Sequence, residues 1–186
     1  GCGTNWNTNN GGSTWPPQPN PAPNPNSGWN PQPGNTTNPT PGTQPNPPET
    51  NRPALPRTYN RNQILIGEQS DPYLKIEQVK VTQTGTQITF SIQGVGKKPY
   101  PVTLDKAGGS NALYLTDRFF RKTYRLRNIR SLQGWPTKPY MLRPGEKKIF
   151  VAEFEKIDDD MRFFHILEGT QERKGAWEFF DVELKD

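Results

Sequence analysis

Thr84-Gly85-Thr86-Gln87-Ile88-Thr89-Phe90-Ser91-Ile92 decides the fold class of this chain. Thr84-Gly85-Thr86 has the composition of a tight turn. Ile88, Phe90 and Ile92 then alternate with polar residues at the two-residue period of a half-buried strand. Upstream, Leu74 and Ile76 keep that period, and Val79 and Val81 resume it in the opposite phase. One inserted residue produces such a phase change, so the pattern predicts a bulge or a switch of sheet near Gln78.

The same reasoning runs downstream. After a loop over residues 94–101, Val102 and Leu104, then Leu113 and Leu115, predict two short strands around a Gly108-Gly109 turn. Residues 123–129 place Tyr124 and Leu126 on one face, with Arg125 and Arg127 on the other. A helix over residues 117–130 is the rival, because Arg118, Arg121, Lys122 and Arg125 would then share one face. The threonine, tyrosine and isoleucine content favours the strand. Pro144-Gly145 suits the two central positions of a type II turn. It opens residues 148–154, whose apolar side chains fall on both faces, as in a central strand. Asp158-Asp159-Asp160 reads as a solvated turn, and residues 163–167 are apolar enough for burial on both sides. In the last segment Phe180, Val182 and Leu184 share a face with Glu178, opposite Trp177 and Phe179. Seven or eight short strands without a convincing helix predict an all-β, antiparallel β-sandwich.

Leu142-Arg143-Pro144-Gly145-Glu146 leading to Phe154, then Phe164-His165-Ile166-Leu167-Glu168-Gly169, then Trp177 to Leu184, resembles the ending of immunoglobulin-like sandwich domains in bacterial exported lipoproteins. The resemblance covers about the last fifty residues and implies a structural or protein-binding piece of an envelope assembly. It brings no catalytic residues, and the immunoglobulin cysteine pair is absent from this sequence.

The first 57 residues are of another kind. Fifteen of the 21 prolines precede Thr58, and no charged residue precedes Glu49. Such a segment has too few apolar groups to offset the entropy of ordering its backbone, so a long disordered Pro/Asn-rich tail is expected. Its reach lies between about 40 Å as a Gly-rich coil and about 170 Å fully extended. Residues 58–186 form the expected folded head; about 130 residues bury roughly two thirds of the surface an unfolded chain exposes. Trp6, Trp15 and Trp29 are either incidental to the tail or dock on a partner or membrane surface.

Cys2 is the only cysteine. Gly1-Cys2-Gly3 resembles the junction left at a bacterial lipoprotein processing site, which implies lipid on Cys2 and a membrane as the first partner. Gly3 in place of aspartate points to the outer membrane. Anchoring by two or more acyl chains would be stable, and by one alone marginal.

Catalytic chemistry finds little support. His165 is the only histidine and sits in an apolar run, so a packed histidine is the default. A triad and a catalytic zinc site both need more than it can supply. Asp158-Asp159-Asp160 lacks the alternating spacing of a calcium loop. Gly94-Val95-Gly96-Lys97-Lys98 fails the phosphate-loop spacing. The expectation is therefore a non-enzymatic protein with no cofactor.

The formal charge of +5 is unevenly spread. Arg118, Arg121, Lys122, Arg125, Arg127, Arg130, Lys138 and Arg143 follow one another with no acid between the first and the last. Phe119, Phe120, Tyr124 and Trp135 are interleaved. Arg118, Arg121, Arg125, Arg127, Arg130 and Trp135 are the candidate partner-binding residues. The run is either a solvated sheet face or an interface with an acidic protein, anionic lipid or cell-wall polymer. Nucleic acid is disfavoured for an extracytoplasmic protein. The leading expectation is an outer-membrane lipoprotein whose head binds an envelope protein, for instance in a secretion or surface apparatus. The alternative is a surface adhesin or glycan-binding module with Trp135, Tyr140 and Trp177 as a stacking platform.

Overall fold

The computed structural model describes residues 55–171 and 173–186, so Cys2, the tail and its three tryptophans lie outside the described residues. Eleven strands build the head: β1 (Arg57–Asn60), β2 (Ile64–Gln69), β3 (Leu74–Val81), β4 (Thr86–Gln93), β5 (Tyr100–Val102), β6 (Leu113–Asp117), β7 (Thr123–Arg130), β8 (Tyr140–Leu142), β9 (Lys147–Phe154), β10 (Phe163–Glu168) and β11 (Glu178–Leu184). One 3-10 turn, Arg61–Gln63, separates β1 from β2. The all-β antiparallel sandwich expected from the sequence is the fold observed.

Nine strands hydrogen-bond in the order β1-β3-β4-β9-β7-β6-β10-β11-β2, and β5 pairs with β8 in a separate ribbon. The long sheet folds over on itself at β7. The first part of that strand pairs with β6, from Thr123 to Arg125, and the second pairs with β9, from Leu126 to Arg130. One strand thus belongs to both layers. Between them lies an aromatic core: the Phe90 ring is 5.4 Å from Phe150 and 6.0 Å from Phe179, and Phe150 is 6.0 Å from Trp177.

Three bulges set which side chains enter that core. In β3 the register shifts between Ile76 and Gln78, so Ile76 and Val79 both point inward, as the phase change required. In β7 it shifts between Leu126 and Asn128, so Leu126 and Ile129 are both buried. Arg125, Arg127 and Arg130 consequently all remain on the outer face. In β11 it shifts opposite His165, with Asp181 at φ +51. This corrects the expected facing of the last strand. Phe180 does not share the face of Val182 and Leu184; those two join Trp177 and Phe179 in the core.

Two further expectations change. Val102 and Leu113 do not form a hairpin across Gly108-Gly109, because β5 pairs with β8 and β6 with β7 and β10. Leu104 is buried without belonging to a strand. The Pro144-Gly145 turn is as expected: Gly145 has φ +78 and Glu146 N–H donates to Arg143 C=O at 3.1 Å. Gly94 passes so close to that turn that a Cβ would lie 1.9 Å from the Arg143 oxygen, leaving room for glycine alone.

Candidate docking hairpin

The β6–β7 connection carries the most unusual surface of the head. Phe119 and Phe120 are 67 % and 58 % exposed. Adjacent bare phenyl rings are costly in water unless something covers them, since burying each is worth about 1.5–3 kcal/mol. The loop that carries them is nonetheless tightly held. Asp117 Oδ1 accepts the backbone N–H groups of Arg121 and Lys122, both at 2.6 Å, and Oδ2 accepts that of Phe119 at 3.4 Å. Phe120 N–H donates to Asp117 C=O at 3.0 Å, and Phe120 sits at φ +57. These main-chain donors, chiefly that of Lys122, hold the Asp117 carboxyl below its ordinary range.

Beneath the loop, His165 answers the question its sequence position raised. It is 3 % exposed, with its ring stacked 4.5 Å from Phe120 and tilted 5.5 Å from Phe180. Nδ1 accepts the Asp181 N–H at 2.9 Å, so the proton belongs on Nε2, which donates to Arg118 C=O at 3.1 Å. His165 therefore seats the hairpin on the β10–β11 bulge. It is a packing residue.

The cations around the phenyl rings differ in their freedom. The Arg118 guanidinium lies 5.0 Å over Phe163 and that of Arg121 lies 5.4 Å over Phe119. Lys122 is committed to Asp158, at 2.5 Å. Farther along β7, Arg130 pairs with Glu153 at 2.7 Å and Arg127 donates to Thr84 C=O at 2.6 Å. Glu153 of β9 and Asp158 of the turn after it thus pair with two of the cations that the sequence presented as one basic run. Arg118 and Arg121 flank the exposed rings, whereas Arg125, Arg127 and Arg130 line the strand behind them.

Trp135 does not join this surface. It is partly buried against the core, and its Nε1–H donates to Asp105 C=O at 3.2 Å. Trp177 is buried and stacked on Phe150, so it offers no ring to a sugar. Tyr140 donates to Glu146, which also accepts the Arg143 N–H at 2.9 Å and so fastens the Pro144-Gly145 turn. The three rings expected to form a stacking platform are parts of the fold. Beyond buried Gly94, residues 95–98 form an exposed loop, and among the described residues no group of three His, Cys, Asp or Glu is placed to hold a metal.

Asp117→Ala is expected to loosen the hairpin while leaving the sandwich folded. Amide hydrogen exchange should accelerate at Phe119, Arg121 and Lys122 and stay unchanged in β4 and β9. The carboxylate grips the loop above its ordinary pKa and loses that grip as pH falls through its depressed value, so acid should reproduce the effect. Unchanged exchange in the variant would remove Asp117 as the latch.

No family model, no curated protein and no solved structure matches this chain.

Proposed function

We propose that this chain is a non-enzymatic, lipid-anchored envelope protein whose head docks a protein partner through the β6–β7 hairpin. The exposed Phe119-Phe120 pair on a latched loop between Arg118 and Arg121 carries this reading. Phenylalanine and arginine are both enriched at protein interfaces, and a loop ordered before contact loses little entropy on docking. Cys2 in Gly1-Cys2-Gly3, followed by the proline-rich segment, supports anchoring and reach. The basic rim favours a partner surface with an apolar pocket bordered by acids.

A photo-crosslinking amino acid at position 119, in the native host, tests the contact. One defined protein adduct is expected there and none at Lys97, an exposed loop position on another part of the head. Adducts at neither position, or equally at both, would refute the docking role, and an adduct to lipid alone would replace the protein by the membrane. Cys2→Ala should move the chain from the membrane to the soluble fraction; continued membrane fractionation would refute the anchor.

A further inference from the structure

A second surface feature arises where β7 changes layers. After Arg125 the strand leaves β6 to join β9, and beside this departure β6, the start of β7, the 108–112 segment and Thr170 line a cleft of about 500 Å³. That volume falls within the range of roughly 300–1,000 Å³ typical of small-molecule sites. Leu113, Leu126 and Ala112 give it an apolar floor, whereas Ser110, Thr123, Thr170 and Tyr114 bring hydroxyl groups to its lining. Among the described residues that line it, Arg125 is the one that carries a charge.

The Arg125 guanidinium is uncommitted. Its main-chain N–H donates to Glu155 at 2.9 Å, but among the described residues its side chain has neither an ion pair nor a hydrogen bond. This contrasts with Arg127 and Arg130 on the same face, both of which are tied down. Gly108-Gly109-Ser110, also in the lining, lies within a hydrogen-bonded turn. Asp105 accepts the N–H groups of Lys106 and Asn111 at 2.8 and 2.9 Å, and a Cβ on Gly109 would collide with its carboxylate. Asp105 is thus consumed in shaping that turn. Glu155 faces the main chain of β7.

A lone cation, several hydroxyls and an apolar floor are complementary to a small molecule with an anionic group, several polar oxygens and an apolar face. We propose that the cleft binds an anion-bearing sugar. Arg125 would take the anionic group through its paired N–H donors, the hydroxyls would hold the ring oxygens, and the floor would carry the ring's C–H face. The site is separate from the hairpin tip and does not rest on its docking role.

Titration of the full-length, isotopically labelled chain with glucuronic acid, glucose 6-phosphate and glucose, followed by amide NMR, tests the assignment. At least one of the two anionic sugars should give saturating shifts at Gly109, Tyr114, Arg125 and Thr170 in the millimolar range. Neutral glucose should give none. Whichever anionic sugar binds decides between carboxylate and phosphate. Arg125→Gln should weaken binding by about tenfold or more, Arg125→Lys by less, and Arg130→Gln not at all. Absence of saturable shifts from both anions, equal binding of glucose, or full affinity in a folded Arg125→Gln or Arg125→Lys protein would overturn the proposal.

Discussion

Phe150→Ala should cost the head about 3–5 kcal/mol, the largest loss expected from any single truncation considered for this core. Phe150 is fully buried near the middle of β9, the strand that lies between β4 and β7. Its ring meets Phe90 from its own layer and Trp177 from the other, so its removal opens a cavity between the two layers. The strands that line that cavity are fixed by pairing on both sides and cannot collapse into it. Small domains are stable by about 5–15 kcal/mol, so the variant would sit close to unfolding. Urea denaturation should show a lower midpoint with an unchanged slope, and thermal melting a drop of roughly 10–20 °C. A loss below about 1 kcal/mol would mean that the two layers are not held together at this ring.

The parts of the fold that could be read in the chain are those whose causes are local. The β3 bulge was legible because Ile76 and Val79 break a two-residue period within one strand. The strand identity of residues 123–130 was legible from residue type, and the Pro144-Gly145 turn from two backbone constraints. Three further features depend on partners distant in sequence. Among the described residues β2 pairs with β11 alone, more than a hundred residues later, and its Ile-Leu-Ile-Gly-Glu-Gln run has no clean alternation. The change of face at Asp181 depends on His165 filling the bulge from the neighbouring strand. The splitting of β7 between two layers depends on β6 and β9 together.

The candidate surface divides in the same way. Arg118 and Arg121 could be singled out because no acid follows them for some twenty residues. Their different fates could not, because Glu153 and Asp158, which claim Arg130 and Lys122, come from β9 and the turn after it. Trp135 lies close to the arginines in the chain, yet its N–H finds Asp105 C=O, thirty residues earlier. The Asp117 latch left only a faint trace, an aspartate closing a strand before a short basic loop. The cleft left none, since its hydroxyls come from positions 110, 114, 123 and 170.

Phe119→Ser should weaken the proposed partner contact by roughly thirtyfold or more and leave the head's stability alone, the reverse of the Phe150 outcome. Phe119 is the more exposed of the two rings, and among the described residues its ring contact is with the Arg121 guanidinium. Exchanging an exposed side chain of this kind shifts stability by no more than about 0.5 kcal/mol. If the ring is the anchor that enters a partner's pocket, its loss removes at least about 2 kcal/mol of binding, or roughly thirtyfold in affinity. Phe120 should behave differently. Its ring stacks on buried His165, so Phe120→Ser should disturb both the loop and the β10–β11 bulge, with some loss of stability. The pair of variants therefore separates anchor from seat. Quantitative crosslinking from a neighbouring position such as Arg121, together with melting curves, reads both properties in the same protein. Undiminished crosslinking in the Phe119→Ser chain would leave the exposed ring without a partner and shift the contact to the arginines alone.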